Sequence, residues 1–228
     1  MAEMRRAISH RASAVLISRI MVNSGDRIVD FFSRSIFAAC IGLWPTLSGA
    51  AEQLTLAELS TYINSLTTFK SDFRQVNDDG TVSTGTLYVS RPGKMRFEYD
   101  PPEQALVVAS ASAVYIIDRK SNLPPETYPL RRTPLSLILG RNIDLTRAKM
   151  VREARFDGRT TVVTAEDPDN AEYGSIQLTF TDAPTMLRQW VIYDAAGGQT
   201  TVELSAFETG MDLPNALFSP ERASRRDR

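Results

Sequence analysis

Cysteine and histidine are almost missing from this chain: there is one of each, Cys40 and His10, and both lie in the first fifty positions. The remaining 178 residues therefore cannot build a disulfide, a thiol nucleophile, a Ser-His-Asp triad or a histidine metal site. Long apolar runs are missing too. The run 36–44 (IFAACIGLW) is about nine residues, well short of the ~20 that a membrane-spanning helix needs. There is no internal repeat and no low-complexity linker. A basic excess is lacking as well, because residues 51–228 hold 20 Lys/Arg against 24 Asp/Glu, a net charge of −4. That balance argues against nucleic acid, or an anionic membrane, as the main partner.

What is present at the start reads as an export signal. Arg27 and Arg34 precede the apolar run, and Pro45 with Leu47-Ser48-Gly49-Ala50-Ala51 follows it. A basic region, a short apolar region and a small-x-Ala site are the three parts of a secretory signal peptide. Cleavage is expected after Ala50, with Ala51 as the alternative, and Met21 is a candidate start. Arg5-Arg6 has no apolar stretch in the place a twin-arginine signal requires. Phe37-Ala38-Ala39 does not suit a lipidation site before Cys40. The expected organisation is a leader over 1–50, one domain over 51–220, and a charged, frayed tail over 221–228 (ERASRRDR). The expected product is exported, unanchored and monomeric.

The pattern after the leader is mostly strand. Two stretches read as helix. Residues 54–66 carry Leu56, Leu59, Ile63 and Leu66 at three- and four-residue steps, one apolar stripe. Residues 134–140 (PLSLILG) offer Thr133 as a cap, Pro134 at the first position and Gly140 as a stop. So short a helix, apolar on most sides, must lie on an apolar surface. Strands are expected at 69–77, 81–90, 95–99, 105–109, 113–118, 149–156, 160–165, 175–181, 187–193 and 200–207. Turns are expected at Asp78-Asp79-Gly80, Arg91-Pro92-Gly93-Lys94, Asp157-Gly158 and Ala196-Gly197-Gly198. Many short, closely spaced antiparallel strands suggest a barrel or a strongly curved sheet.

Alternation picks out one arginine. Met95, Phe97 and Tyr99 share a strand face, and Leu87 and Val89 share theirs with Arg91. If Leu87 and Val89 face inward, Arg91 points at the same apolar space. A charge there costs free energy unless its donors find acceptors; the alternative is a rim arginine that snorkels to water. Asp78, Asp79, Glu98, Asp100 and Glu103 are spread over turns and outward faces, where solvated roles suffice, so catalysis is not expected.

Several of these stretches resemble a known family, the periplasmic outer-membrane lipoprotein carriers of the LolA type. The matching stretches are Phe69-Lys-Ser-Asp-Phe73-Arg-Gln75, Gly85-Thr-Leu-Tyr-Val-Ser-Arg91-Pro92 running into Met95-Arg-Phe97-Glu-Tyr99, and Thr133-Pro134-Leu-Ser-Leu-Ile-Leu. The resemblance implies a mainly β fold with a helical lid. It would be an incomplete antiparallel half-barrel enclosing a hydrophobic cavity covered by helices, with 134–140 in the lid. It implies a carrier that takes acylated lipoproteins from an inner-membrane ABC-type releasing complex, shields their acyl chains across the periplasm and delivers them to an outer-membrane acceptor. Arg91 matches the family arginine that holds the empty cavity closed. The acyl cavity is expected around Leu87, Val89, Met95, Phe97, Tyr99, Leu106, Leu135, Ile138, Leu139 and Trp190, with no cofactor and no metal. Met95 departs from the family's usual aromatic, and Ser110-Ala111-Ser112 from its Gly-containing turn. A periplasmic sensor of the same fold and an anchored outer-membrane acceptor are the alternatives.

Overall fold

The computed structural model describes residues 52–120, 123–133, 135–147, 149–166, 171, 174–194 and 196–224. The expected leader, Cys40, His10, Met21 and Pro134 lie outside the described residues. Eleven strands form one antiparallel sheet: β1 (Thr68–Val76), β2 (Val82–Ser90), β3 (Lys94–Tyr99), β4 (Ala105–Ser110), β5 (Ala113–Asp118), β6 (Glu126–Pro129), β7 (Val151–Phe156), β8 (Thr160–Glu166), β9 (Ser175–Thr181), β10 (Met186–Tyr193) and β11 (Gln199–Thr209). Their spatial order is β6-β5-β4-β3-β2-β1-β11-β10-β9-β8-β7. Two meanders are thus joined where the first strand pairs with the last, and β6 and β7 are left as the two edges. The sheet is open.

One face of this sheet is apolar because the strands alternate. In β1, Phe69, Ser71, Phe73 and Gln75 are buried while Asp72 and Arg74 are exposed. Helix α1 (Leu56–Ser65) lies on this face, with Leu54, Leu59, Ile63 and Leu66 in one cluster with Phe69, Phe73, Leu178, Phe180 and Leu204. The helix starts at Leu56, the first residue of its apolar stripe and two residues inside the expected 54–66. Thr55 is the cap: its Oγ1 accepts from Glu58 N at 3.2 Å, and Glu58 Oε2 accepts from Thr55 N at 2.8 Å.

Two local devices shape the sheet. Gly85 sits opposite Phe73 and Tyr99, and a Cβ there would meet Glu98 O at 2.1 Å and the Phe73 ring at 2.8 Å. The Phe73, Phe97 and Tyr99 rings pack edge-on and stacked in the space this leaves. At Ala206, φ is +47° and the pairing with β1 slips between Lys70 and Asp72. One extra residue reverses the side-chain alternation, and this turns Phe207 to stack on Phe69 at 4.7 Å.

Several sequence expectations change here. β6 was not expected. The expected helix at 134–140 contracts to α2 (Ser136–Leu139). Thr133 does not cap it: its hydroxyl donates to Leu130 O at 2.8 Å, closing the 3-10 turn Leu130–Arg132. Nor is the start of the tail frayed. A 3-10 turn (Asn215–Phe218) and helix α3 (Pro220–Ser224) lie on the opposite face of β3–β5, where Ala223 joins Leu106, Val108 and Ile117. Arg96 anchors this crossing by donating to Leu217 O at 3.2 Å. No described helix is long and apolar enough to cross a membrane.

Candidate functional site

Arg91 follows β2 directly, on the helix-covered side, and its guanidinium is surrounded by carbonyl oxygens. Nε and Nη2 donate to Gly140 O at 3.2 and 2.6 Å. Nη1 donates to Leu66 O at 3.3 Å and also to Ile63 O, and Nη2 reaches Asn64 Oδ1 at 3.2 Å. Ile63 and Asn64 close the last turn of α1, and Gly140 ends α2. Helix α1 has no basic residue in its last turn, so Arg91 supplies from β2 the positive charge that the carbonyl end of a helix attracts. Burial pushes the Arg91 pKa down from its ordinary value, but a guanidinium remains charged. The snorkelling alternative is therefore not what this side chain does. Gly93 N adds a backbone bond from the same turn to Leu139 O at 2.9 Å.

A second set of bonds ties α1 to the chain beyond α2. Asn64 accepts from Ile143 N at 3.0 Å and donates to Ile143 O at 2.7 Å, so it holds both backbone polar groups of one residue as well as Arg91. One turn earlier, Ser60 Oγ accepts from Leu145 N at 2.9 Å and donates to Leu56 O. Ile143 and Leu145 are buried in the same apolar cluster. Neither Ser60 nor Asn64 was singled out from sequence. The available signal was two polar residues four apart beside an apolar stripe, a spacing that puts them on one helix face.

Most of the expected cavity residues do come together. Leu87, Val89, Met95, Phe97, Ile138, Leu139 and Trp190 are buried in the cluster, and Tyr99 and Leu135 pack against it. Trp190 meets Phe97 edge-on at 6.1 Å. Leu106 does not join them. It pairs with Glu98 and Ile117, whose side chains face away from α1, and it packs under Ala223. The error lay in phase: Phe97 pairs with Val107, so Val107 rather than Leu106 faces the cluster.

Polar anchors sit at the margins of this apolar surface. Tyr62 Oη accepts from Leu187 N at 3.0 Å, and its ring meets Phe180 edge-on at 6.1 Å. Tyr99 Oη donates to Gln75 Oε1 at 2.8 Å. Burial pushes both phenols above their ordinary pKa, so both stay neutral hydroxyls at physiological pH. A separate cleft of about 430 Å³ mixes polar and apolar lining: Thr86, Glu98, Asp100, Gln104 and Arg119 beside Tyr99, Pro101, Ala105 and Leu106.

An open antiparallel sheet with a helix held across one apolar face by Arg91, Asn64, Ser60 and Tyr62 defines a β scaffold that covers an apolar surface. The chain belongs to the family described as outer membrane lipoprotein carrier protein LolA, which it matches over residues 64–221. It is 25% identical over 199 residues to the outer-membrane lipoprotein carrier protein of Dechloromonas aromatica, covering 83% of this chain and 93% of that one. With the protein of that description from Chromohalobacter salexigens it shares 27% over 183 residues, covering 76% and 83%. A solved LolA superfamily structure from Nitrosomonas europaea covers 74% of this chain and 99% of its own, at 8% identity and a TM-score of 0.41. The family is one of carriers and not of catalysts.

Proposed function

We propose that the protein is a periplasmic carrier that binds the acyl chains of lipoproteins released from the inner membrane and delivers them to the outer membrane. The apolar cluster between α1, α2 and the sheet is the acyl-chain site in its closed form, and α1 with α2 is its lid. The observation that carries this reading is Arg91, whose donors reach carbonyls of both helices at once. Leu87, Val89, Met95, Phe97, Tyr99, Leu135, Ile138, Leu139 and Trp190 line the site. An inner-membrane ABC-type releasing complex supplies the cargo and an outer-membrane acceptor takes it, the carrier working as a monomer.

The physics is a balance. Burying an acyl chain is worth about 0.8 kcal/mol per CH₂, so a site open at no cost would never release its cargo. Closing the lid returns the helices to the sheet and restores the Arg91 bonds, each worth roughly 1.5–3 kcal/mol as a charge-assisted bond. Entry of cargo gives up those bonds, and their return favours expulsion toward a stronger acceptor. No step makes or breaks a covalent bond.

Replacing Arg91 with Leu removes the lock and keeps the surface apolar. Arg91→Leu is expected to bind lipoprotein as well as the unaltered protein does, or better, and to pass it on far more slowly. The check is a time course of labelled lipoprotein moving from the purified complex to acceptor membranes. Transfer at the unaltered rate would remove Arg91 from the mechanism.

A further inference from the structure

A buried chain of hydrogen bonds lies at the end of the apolar face farthest from Arg91. Arg91 leaves β2 beside the start of β1, where its backbone N–H donates to Thr67 O at 2.8 Å. On the face of β2 that carries Val89 and Leu87, the next positions are Gly85 and Ser83. Ser83 lies eight residues from Arg91, about 27 Å at ~3.4 Å per residue. On β1 the same face runs from Phe69 through Ser71 and Phe73 to Gln75, which pairs with Ser83. Ser71 turns its hydroxyl to the backbone, donating to Ser205 O at 2.6 Å. The face is thus largely apolar toward Arg91 and polar at its far end, where Gln75, Asn77 and Ser83 are all buried.

The orientation of each group in the chain is forced from its outer end. Asp79, in the β1–β2 turn, is a carboxylate that only accepts, so Thr81 Oγ1 donates to it at 2.6 Å. Thr81 Oγ1 then accepts from Asn77 Nδ2 at 2.8 Å, which fixes the Asn77 amide. Asn77 Oδ1 accepts from Gln75 Nε2 at 2.9 Å, and Gln75 Oε1 accepts from Tyr99 Oη at 2.8 Å. The inner end touches the aromatic wall of the site, because the Tyr99 and Phe73 rings meet edge-on at 5.0 Å. Trp190 stands on the same rung as Gln75, one strand beyond Val202, and is fully buried there.

An acyl chain entering from the Arg91 end meets aliphatic and aromatic side chains first and these hydrogen bonds last. Each methylene that reaches apolar lining strengthens binding roughly fourfold. A methylene pressed against Gln75 must break a bond and leave a buried group unpaired, which costs more than the methylene gains. We propose that Gln75, Asn77 and Tyr99 form a polar floor that sets the longest acyl chain the site takes up. This rests on the carrier reading and narrows it: cargo is selected by chain length as well as by being acylated. Chains that end above the floor gain affinity with every carbon, and longer ones gain nothing further.

The test is a titration of the purified protein with lipopeptides of one sequence, each carrying one saturated acyl chain of about 8 to about 20 carbons. Affinity is expected to rise with length and then level off. In Gln75→Leu/Tyr99→Phe, which makes the floor apolar, the levelling-off should move to longer chains. The longest chain should then bind on the order of tenfold tighter than to the unaltered protein, with the shortest chains unchanged. Gln75→Met/Tyr99→Phe, nearer to Gln in length, is read in the same way should the first variant fail to fold. All proteins meet the same ligands, so micelle formation drops out of the comparison. Arg74→Leu, at the outward-facing neighbour of Gln75, should leave the profile as it is. Affinity that rises without levelling, a plateau at the same length in the floor variants, or an equal shift in Arg74→Leu would overturn the proposal and leave the carrier reading standing. Binding at no chain length above that of the peptide without an acyl chain would sink both.

Discussion

At the scale of single residues, the account turns on how two polar side chains, Arg91 and Asn64, are satisfied at the margin of an apolar cluster. Arg91 was legible as an arginine sharing a strand face with Leu87 and Val89, and the family resemblance supplied its role. Its partners were not legible, because they are backbone carbonyls, and no residue type advertises a carbonyl. Asn64 escaped notice for a related reason: its value lies in meeting both the N–H and the C=O of Ile143. Removing it strands a donor, an acceptor and one Arg91 contact together. Asn64→Ala is expected to cost about 1–3 kcal/mol of stability and to speed hydrogen exchange at the Ile143 amide specifically. A variant with unchanged urea midpoint and unchanged exchange there would show that the clamp contributes nothing.

Among elements, strand positions followed from alternation and turn chemistry, and most expected strands lie within a residue or two of those observed. The failures have physical causes. β6 is four residues long and ends in Pro129, which an edge strand tolerates and a central one does not, so nothing in its pattern distinguishes it from loop. α3 sits in a charged stretch where one small residue, Ala223, carries the packing. Leu106 was assigned to the wrong face because β4 buries residues on both of its faces, which hides the phase. The β4–β5 turn shows the opposite case, a sequence oddity that the structure explains. Ala111 and Ser112 both adopt positive φ, at +47° and +66°, in a two-residue hairpin that Asn-Gly would fit better. Replacing them by Asn and Gly should raise stability by about 1–2 kcal/mol, read as a higher urea midpoint with an unchanged slope. A lower midpoint would mean the turn is held in this conformation by something other than its own backbone preference.

For the molecule as a whole, composition set the class before any element was placed. A chain without cysteine or histidine after its first fifty residues lacks thiol and imidazole chemistry there, and its strand patterning points to a mainly β fold. An open sheet follows from the pairing of β1 with β11, which joins two meanders in the middle and leaves β6 and β7 unjoined at the margins. That long-range pairing could not be read from local pattern. The central claim is that the apolar face under α1 and α2 takes up acyl chains, and Trp190, buried there against Phe97, is placed to report on it. The direct measurement is a fluorescence titration of the purified protein, with Trp44 changed to Phe, against a triacylated lipopeptide and the same peptide without acyl chains. The account predicts a saturable change in Trp190 emission with the acylated peptide alone. An identical response to both peptides, or none to the acylated one, would contradict it.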